Sequence, residues 1–190
     1  MRKIIQSFQD SLHEFQHIKT LCAIGMLGAL CIIINNFTIA IGDFLKIGFS
    51  SECNVLVGCL FGPAAGAIFG AAMDLLKFLM KPTGPYFWGW TFDAAVAGLI
   101  FGFGLYKKKI TFWRVFFVRL ANAILVNVLL GTYWLNVMYG KGFIALLPTR
   151  LFKNIIMVPI ETMIFLIIYQ ALNKSGIIHM IRQPIWHKQN

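Results

Sequence analysis

Apolar residues dominate this chain in long unbroken runs, and the polar residues collect in short stretches between them. A helix crossing roughly 30 Å of hydrocarbon needs about 20 apolar residues. Six segments fit that pattern in outline: 18–41, 50–61, 62–80, 91–106, 112–138 and 149–172. The second is too short to cross alone, and Gly62-Pro63 separates it from the third, which predicts a short or tilted helix turning at Phe61-Gly62-Pro63. The prediction is an all-α integral membrane protein of six transmembrane helices. The basic start at Arg2-Lys3 is followed by mixed polar and apolar residues, so the first apolar run reads as a retained span and not a cleaved leader.

Positive charge orients such a chain, because Lys and Arg accumulate in cytoplasmic connections. With the N-terminus inside, Arg2, Lys3, Lys19, Lys107, Lys108, Lys109, Arg114, Lys174, Arg182 and Lys188 face the cytoplasm, and only Lys46, Lys81 and Lys141 face out. Both termini are therefore expected to be cytoplasmic. Residues 1–17 place Ile5, Phe8, Leu12 and Phe15 at helical spacing, which fits an amphipathic helix on the inner leaflet as well as a solvated tail. The expected organisation is this segment, a transmembrane domain over 18–173, and a basic cytoplasmic tail over 174–190.

Composition agrees with lipid as the solvent: 58% of residues are hydrophobic and 13% charged, about half the charged share of a soluble domain. The net charge of +10 does not point to nucleic acid, because the basic residues flank apolar runs instead of forming an aromatic-interleaved patch. Cys22, Cys31, Cys53 and Cys59 lack CxxC spacing and read as small apolar fillers. No metal or cofactor is expected.

The chemistry lies in the polar residues held inside the spans, where such groups are costly and face a cavity or a partner. Gly58, Gly62, Gly66 and Gly70 repeat every four residues, a ridge suited to close helix packing, with Gly98 and Gly102 offering a similar face. Above the ridge stand Asp74 and Lys77, which fit either an i,i+3 pair or ligand contacts. On the last span Arg150, Asn154 and Glu161 share a helical stripe with Lys153 beside it; Glu161 lies about 16 Å deeper than Arg150. On the fifth, Asn127 is placed at mid-membrane, and Arg119, nearer the cytoplasm, reads as an anchor or a paired charge. The external aromatics Tyr86, Trp88 and Trp90 suit an interfacial belt or a stacking wall for a flat heterocycle. Together these residues describe an outward-facing cavity for a ligand anionic at one end and ring-like at the other.

Three blocks resemble the substrate-binding S components of energy-coupling factor vitamin transporters, and among them the folate-specific type. They are Phe61-Gly62-Pro63 with Gly66, Gly70 and Asp74-Leu75; Lys81-Pro82-Thr83-Gly84-Pro85-Tyr86-Phe87; and Leu147-Pro148-Thr149-Arg150-Leu151-Phe152-Lys153-Asn154 with Pro159-Ile160-Glu161. The stretch Trp134 to Gly140 supports the likeness. Trp88 stands where the family usually has Pro, and Asp93 where it has a small residue. The resemblance implies a six-helix folate-binding subunit of a bacterial cell membrane, working with a membrane-embedded coupling subunit and two cytoplasmic ATPases. It also implies a coupling-subunit contact at Gly25 and Ala29 and a gating loop over 42–49. No GxxxxGK[ST] phosphate loop occurs, in keeping with ATP hydrolysis elsewhere.

Other readings stay open on the residues alone. An S component for riboflavin, pantothenate or thiamine has the same outline. A small autonomous carrier would show matching broken helices in inverted repeats, and none is visible. An intramembrane enzyme lacks its motifs, with no HExxH or GxSxG in the chain.

Overall fold

The computed structural model describes residues 8, 10–11, 18–36, 39–41, 45–47, 49–81, 86–139 and 143–178. In chain order they form α1 (Ile18–Asn36), a hairpin of β1 (Ile39–Ile41) and β2 (Leu45–Ile47), α2 (Ser51–Phe61), α3 (Pro63–Met80), α4 (Trp88–Leu105), α5 (Phe112–Asn122), a π-helical segment (Ala123–Leu130), α6 (Gly131–Tyr139) and α7 (Phe143–Lys174). The described residues are thus helical apart from short connections and one antiparallel hairpin, in which Ile39 pairs with Ile47 and Ile41 with Leu45. The expected first run of 18–41 is shorter as a helix, because the chain leaves α1 at Asn36 and turns into β1.

Among the described residues, five helices are long and apolar enough to cross a membrane: Ile18–Asn36, Pro63–Met80, Trp88–Leu105, Phe112–Val137 and Leu151–Lys174. The sixth segment, α2, has 11 residues and measures about 16 Å, half the hydrocarbon thickness. It is nevertheless the centre of the bundle. Cys53, Val57, Leu60 and Phe61 pack toward α1 and α3, while Val55, Leu56 and Cys59 pack toward α4, α5 and α7. A helix apolar on all sides is a buried one, and α2 is enclosed by the longer helices.

The end of α2 is set by Gly62, whose φ of +92° is open to glycine at little cost. Pro63 follows at the first turn of α3, where its missing N–H removes nothing. Ser11, fully buried, closes the turn: its hydroxyl donates to the Phe61 carbonyl at 2.6 Å and accepts from the Ala65 N–H at 3.1 Å. Asp10 beside it pairs with Lys107 at 2.8 Å. This part of the first segment is therefore docked on the bundle; Ile5, Leu12 and Phe15 lie outside the described residues.

Small residues bring α3 and α4 together. A Cβ at Gly66 would lie 2.7 Å from the Gly98 carbonyl oxygen, and one at Gly102 would collide with Pro63. The glycine ridge is spent on packing inside the chain. The outer faces differ: Ile18, Met26, Ile155 and Ile167 are all more than 60% exposed, an arrangement suited to lipid and not to water. Trp113 and Phe117 extend this surface at the start of α5, beside the basic run at Lys107.

Candidate functional site

A cavity of about 270 Å³ opens between the start of α2, the upper halves of α3 and α4, and the middle of the α5–α6 span. Its floor is an ion cluster drawn from three helices. Arg119 of α5 donates through Nη2 to Glu52 of α2 and through Nη1 to Glu161 of α7, the latter at 2.8 Å. The Phe165 ring lies 5.7 Å from the guanidinium carbon. A buried cation left alone is costly, and two carboxylates offset that cost here. Glu52 falls in the first turn of α2, where the helix dipole favours a negative charge.

Several polar atoms around this floor have no hydrogen-bond partner among the described residues: Glu52 Oε1, Asn54 Oδ1, Arg119 Nε and Asn122 Oδ1. Asn54 is oriented by its amide, which donates to the Ala94 carbonyl at 3.3 Å. Asn54, Arg119 and Asn122 line the cavity. Buried polar groups are normally paired, so the floor presents acceptors and a donor suited to a ligand.

The walls are organised by a second network. Thr91 donates to Asp74 Oδ2 at 2.7 Å, and since its single proton is used there, the Tyr86 hydroxyl donates to Thr91. Lys77 donates to Ser50 Oγ at 3.2 Å. Asp74 and Lys77 are thus each held from a neighbouring element instead of by one another. Trp134 donates to Asp93 at 2.9 Å, tying α6 to α4. Asn127 donates to Asn154 at 3.1 Å, tying the π-helical segment to α7.

Of the residues singled out in the sequence, Asp74, Lys77, Trp90, Asn127 and Glu161 line the cavity. Asn154 stands one layer behind as the partner of Asn127, and Tyr86 is a further step back, bonded to the Thr91 that holds Asp74. Lys153 is half-buried and its charge bears on Glu161. Trp88 is 74% exposed: α4 begins at this residue, so Trp88 and Trp90 fall on different faces of a helix instead of one loop. The Arg150 side chain lies outside the described residues, as does the segment 42–44 of the expected loop. Gly25 and Ala29 are exposed on α1, with no atom within 4 Å of a Cβ built at Gly25. Sequence reasoning passed over Asn54 and Asn122 as cavity groups and Glu52 as the buried partner of Arg119, and read Arg119 only as an anchor or a paired charge. An acidic residue inside an apolar run was the available signal for Glu52.

Residues 19–169 match the family "ECF transporter, substrate-specific component". The chain belongs to that family. This S component is an integral membrane protein of a transporter and not an enzyme. It is 31% identical over 79% of its length to "Folate transporter FolT" of Clostridium novyi (strain NT), covering 87% of that protein. It is 28% identical over 84% of its length to the folate transporter of Leuconostoc mesenteroides, covering 88%. Its fold matches the "Crystal structure of FolT bound with folic acid" with a TM-score of 0.74 at 34% identity, over 83% of this chain and 95% of that one. A second S component of a bacterial ECF transporter shares the fold with a TM-score of 0.64 at 24% identity, over 84% of this chain and 98% of the other.

Proposed function

We propose that this S component captures folate from outside the cell and delivers it to the cytoplasm with a coupling subunit and two ATPases. The observation that carries the reading is the cavity floor. Its unmet acceptors on Asn54 and Asn122, beside Arg119, match donor positions on the edge of a pterin ring. Trp90 in the wall offers that ring a stacking face. Lys77, Lys153 and Arg150 are the cations assigned to the anionic end of the ligand. The folate transporters it resembles, one of them solved with folic acid bound, support the same choice.

The hairpin and α2 together make the second of six crossings in this reading. Ser11 meets the Gly62 turn, and Ile178 packs in one cluster with Leu60 and Phe61. Both ends of the bundle then approach one membrane face, the cytoplasmic one by its lysines. Gly25 and Ala29 supply the face of α1 that meets the coupling subunit.

A binding screen of folate, riboflavin, thiamine, pantothenate and biotin on the purified protein tests the proposal. Saturable binding of folate alone is expected, and Lys153→Ala or Arg150→Ala should weaken it by about tenfold, or 1.4 kcal/mol. Saturable binding of another vitamin in place of folate would move the protein to a different substrate.

A further inference from the structure

Asp74 and Lys77 stand one turn apart on α3, half-buried and both lining the cavity. An acidic residue three places before a lysine is well set to pair with it along a helix, and a site screened from water strengthens that attraction. The pair nevertheless stays open: among the described residues, no ion pair joins the two. Each charge is held from outside α3 instead. Thr91 of α4 donates to Asp74 at 2.7 Å. The Tyr86 hydroxyl donates to Thr91 and so fixes where the Thr91 proton points. Tyr86 is itself set by the Phe78 and Trp88 rings, whose centroids lie 5.0 and 5.4 Å from its own. On the other side, Lys77 donates to Ser50 at 3.2 Å. Ser50 is the N-cap residue of α2, where a serine hydroxyl ordinarily accepts an N–H from the first turn. Here it makes no such bond and is turned to Lys77. Its carbonyl accepts from Cys31 Sγ of α1 at 3.3 Å, which steadies the residue from behind.

We propose that Ser50 and Thr91 are positioning residues that keep the Asp74–Lys77 pair open, so that the Lys77 ammonium stays available to an anionic group of the ligand. An ammonium carries several N–H donors, and Ser50 takes one of them, aiming the group without neutralising it. A hydroxyl leaves the positive charge in place, whereas a carboxylate in the same position would cancel it. With either hydroxyl removed, the two side chains, one turn apart, are free to close on each other. The ligand anion then has to compete with Asp74 for the same cation. The role given to Lys77 rests on the folate reading above.

The test measures folate affinity by calorimetry on the full chain in lipid nanodiscs, for Ser50→Ala, Thr91→Val, Asp74→Asn and each hydroxyl variant combined with Asp74→Asn. Ser50→Ala should weaken binding by about tenfold in the otherwise unchanged chain. In the Asp74→Asn background the same substitution should cost less than about twofold, because no carboxylate remains to capture Lys77. Thr91→Val should follow the same pattern, and it carries the comparison by itself should Ser50→Ala not fold. Ser50→Thr keeps the hydroxyl and should bind within about twofold of the wild type. Equal losses in both Asp74 backgrounds would reduce the hydroxyls to structural or direct ligand contacts and overturn the proposal. So would full affinity in Ser50→Ala and Thr91→Val. If the wild type binds pantothenate or biotin in place of folate, and the same pattern appears with that anion, the substrate reading fails and the positioning role stands.

Discussion

The α3–α4 seam and the outer flank of α1 both carry small residues at helical spacing, and they do opposite things. At the seam, Gly66 and Gly98 sit backbone against backbone, with no room for a methyl group. On α1, Gly25 has open space and Ala29 beside it is exposed. Apolar burial does not distinguish protein from lipid, so helices in a membrane stay together through shape and polar contacts. A small-residue ridge met by its complement therefore makes a fixed unit. The same ridge left unmatched is a surface for lipid or for another subunit.

The comparison is broken most severely at the seam. Gly98→Leu should cost about 4 kcal/mol or more, because the new atoms meet backbone that cannot yield; thermal unfolding in detergent should show a collapsed midpoint or no folded protein. Next comes the charge cluster that joins α7 to the packed half. Arg119→Met leaves Glu52 and Glu161 buried without their cation and should cost about 3 kcal/mol. Adding Glu52→Gln and Glu161→Gln should recover most of that loss in the same assay. A smaller effect is expected in the wall: Thr91→Val frees Asp74 from its anchor and should weaken folate binding by about tenfold in calorimetry. Gly25→Leu should change stability least, within about 0.5 kcal/mol, while reducing co-purification with a coupling subunit. A large loss of stability in that variant would mean that the α1 flank is packed after all.

Much of this architecture is legible in the residues. The membrane class follows from apolar run length, the turn at Gly62-Pro63 from its two residue types, and the packing role of the glycine ridge from its spacing. The site was harder to read, for three physical reasons. Glu52 lies in the one segment too short to cross, so its depth could not be placed without knowing that α2 is enclosed by other helices. Asn122 and Asn127 are five apart, which an α-helix sets on different faces, yet both line the cavity because the chain between them follows i→i+5 geometry. Trp88 and Trp90 seem equivalent until the start of α4 is fixed.

The docking of Ser11 on the Gly62 turn carries a practical consequence. Its hydroxyl occupies both the carbonyl and the N–H that the break between α2 and α3 leaves open. A Cβ at Gly62 would lie 2.8 Å from Ser11, so turn and segment are shaped to each other. A purification tag or reporter fused upstream pulls on this contact, and a version trimmed to the first span loses it. Fusions placed after α7 leave the central helix of the bundle closed at its lower end, and are the safer choice for measuring what the protein binds.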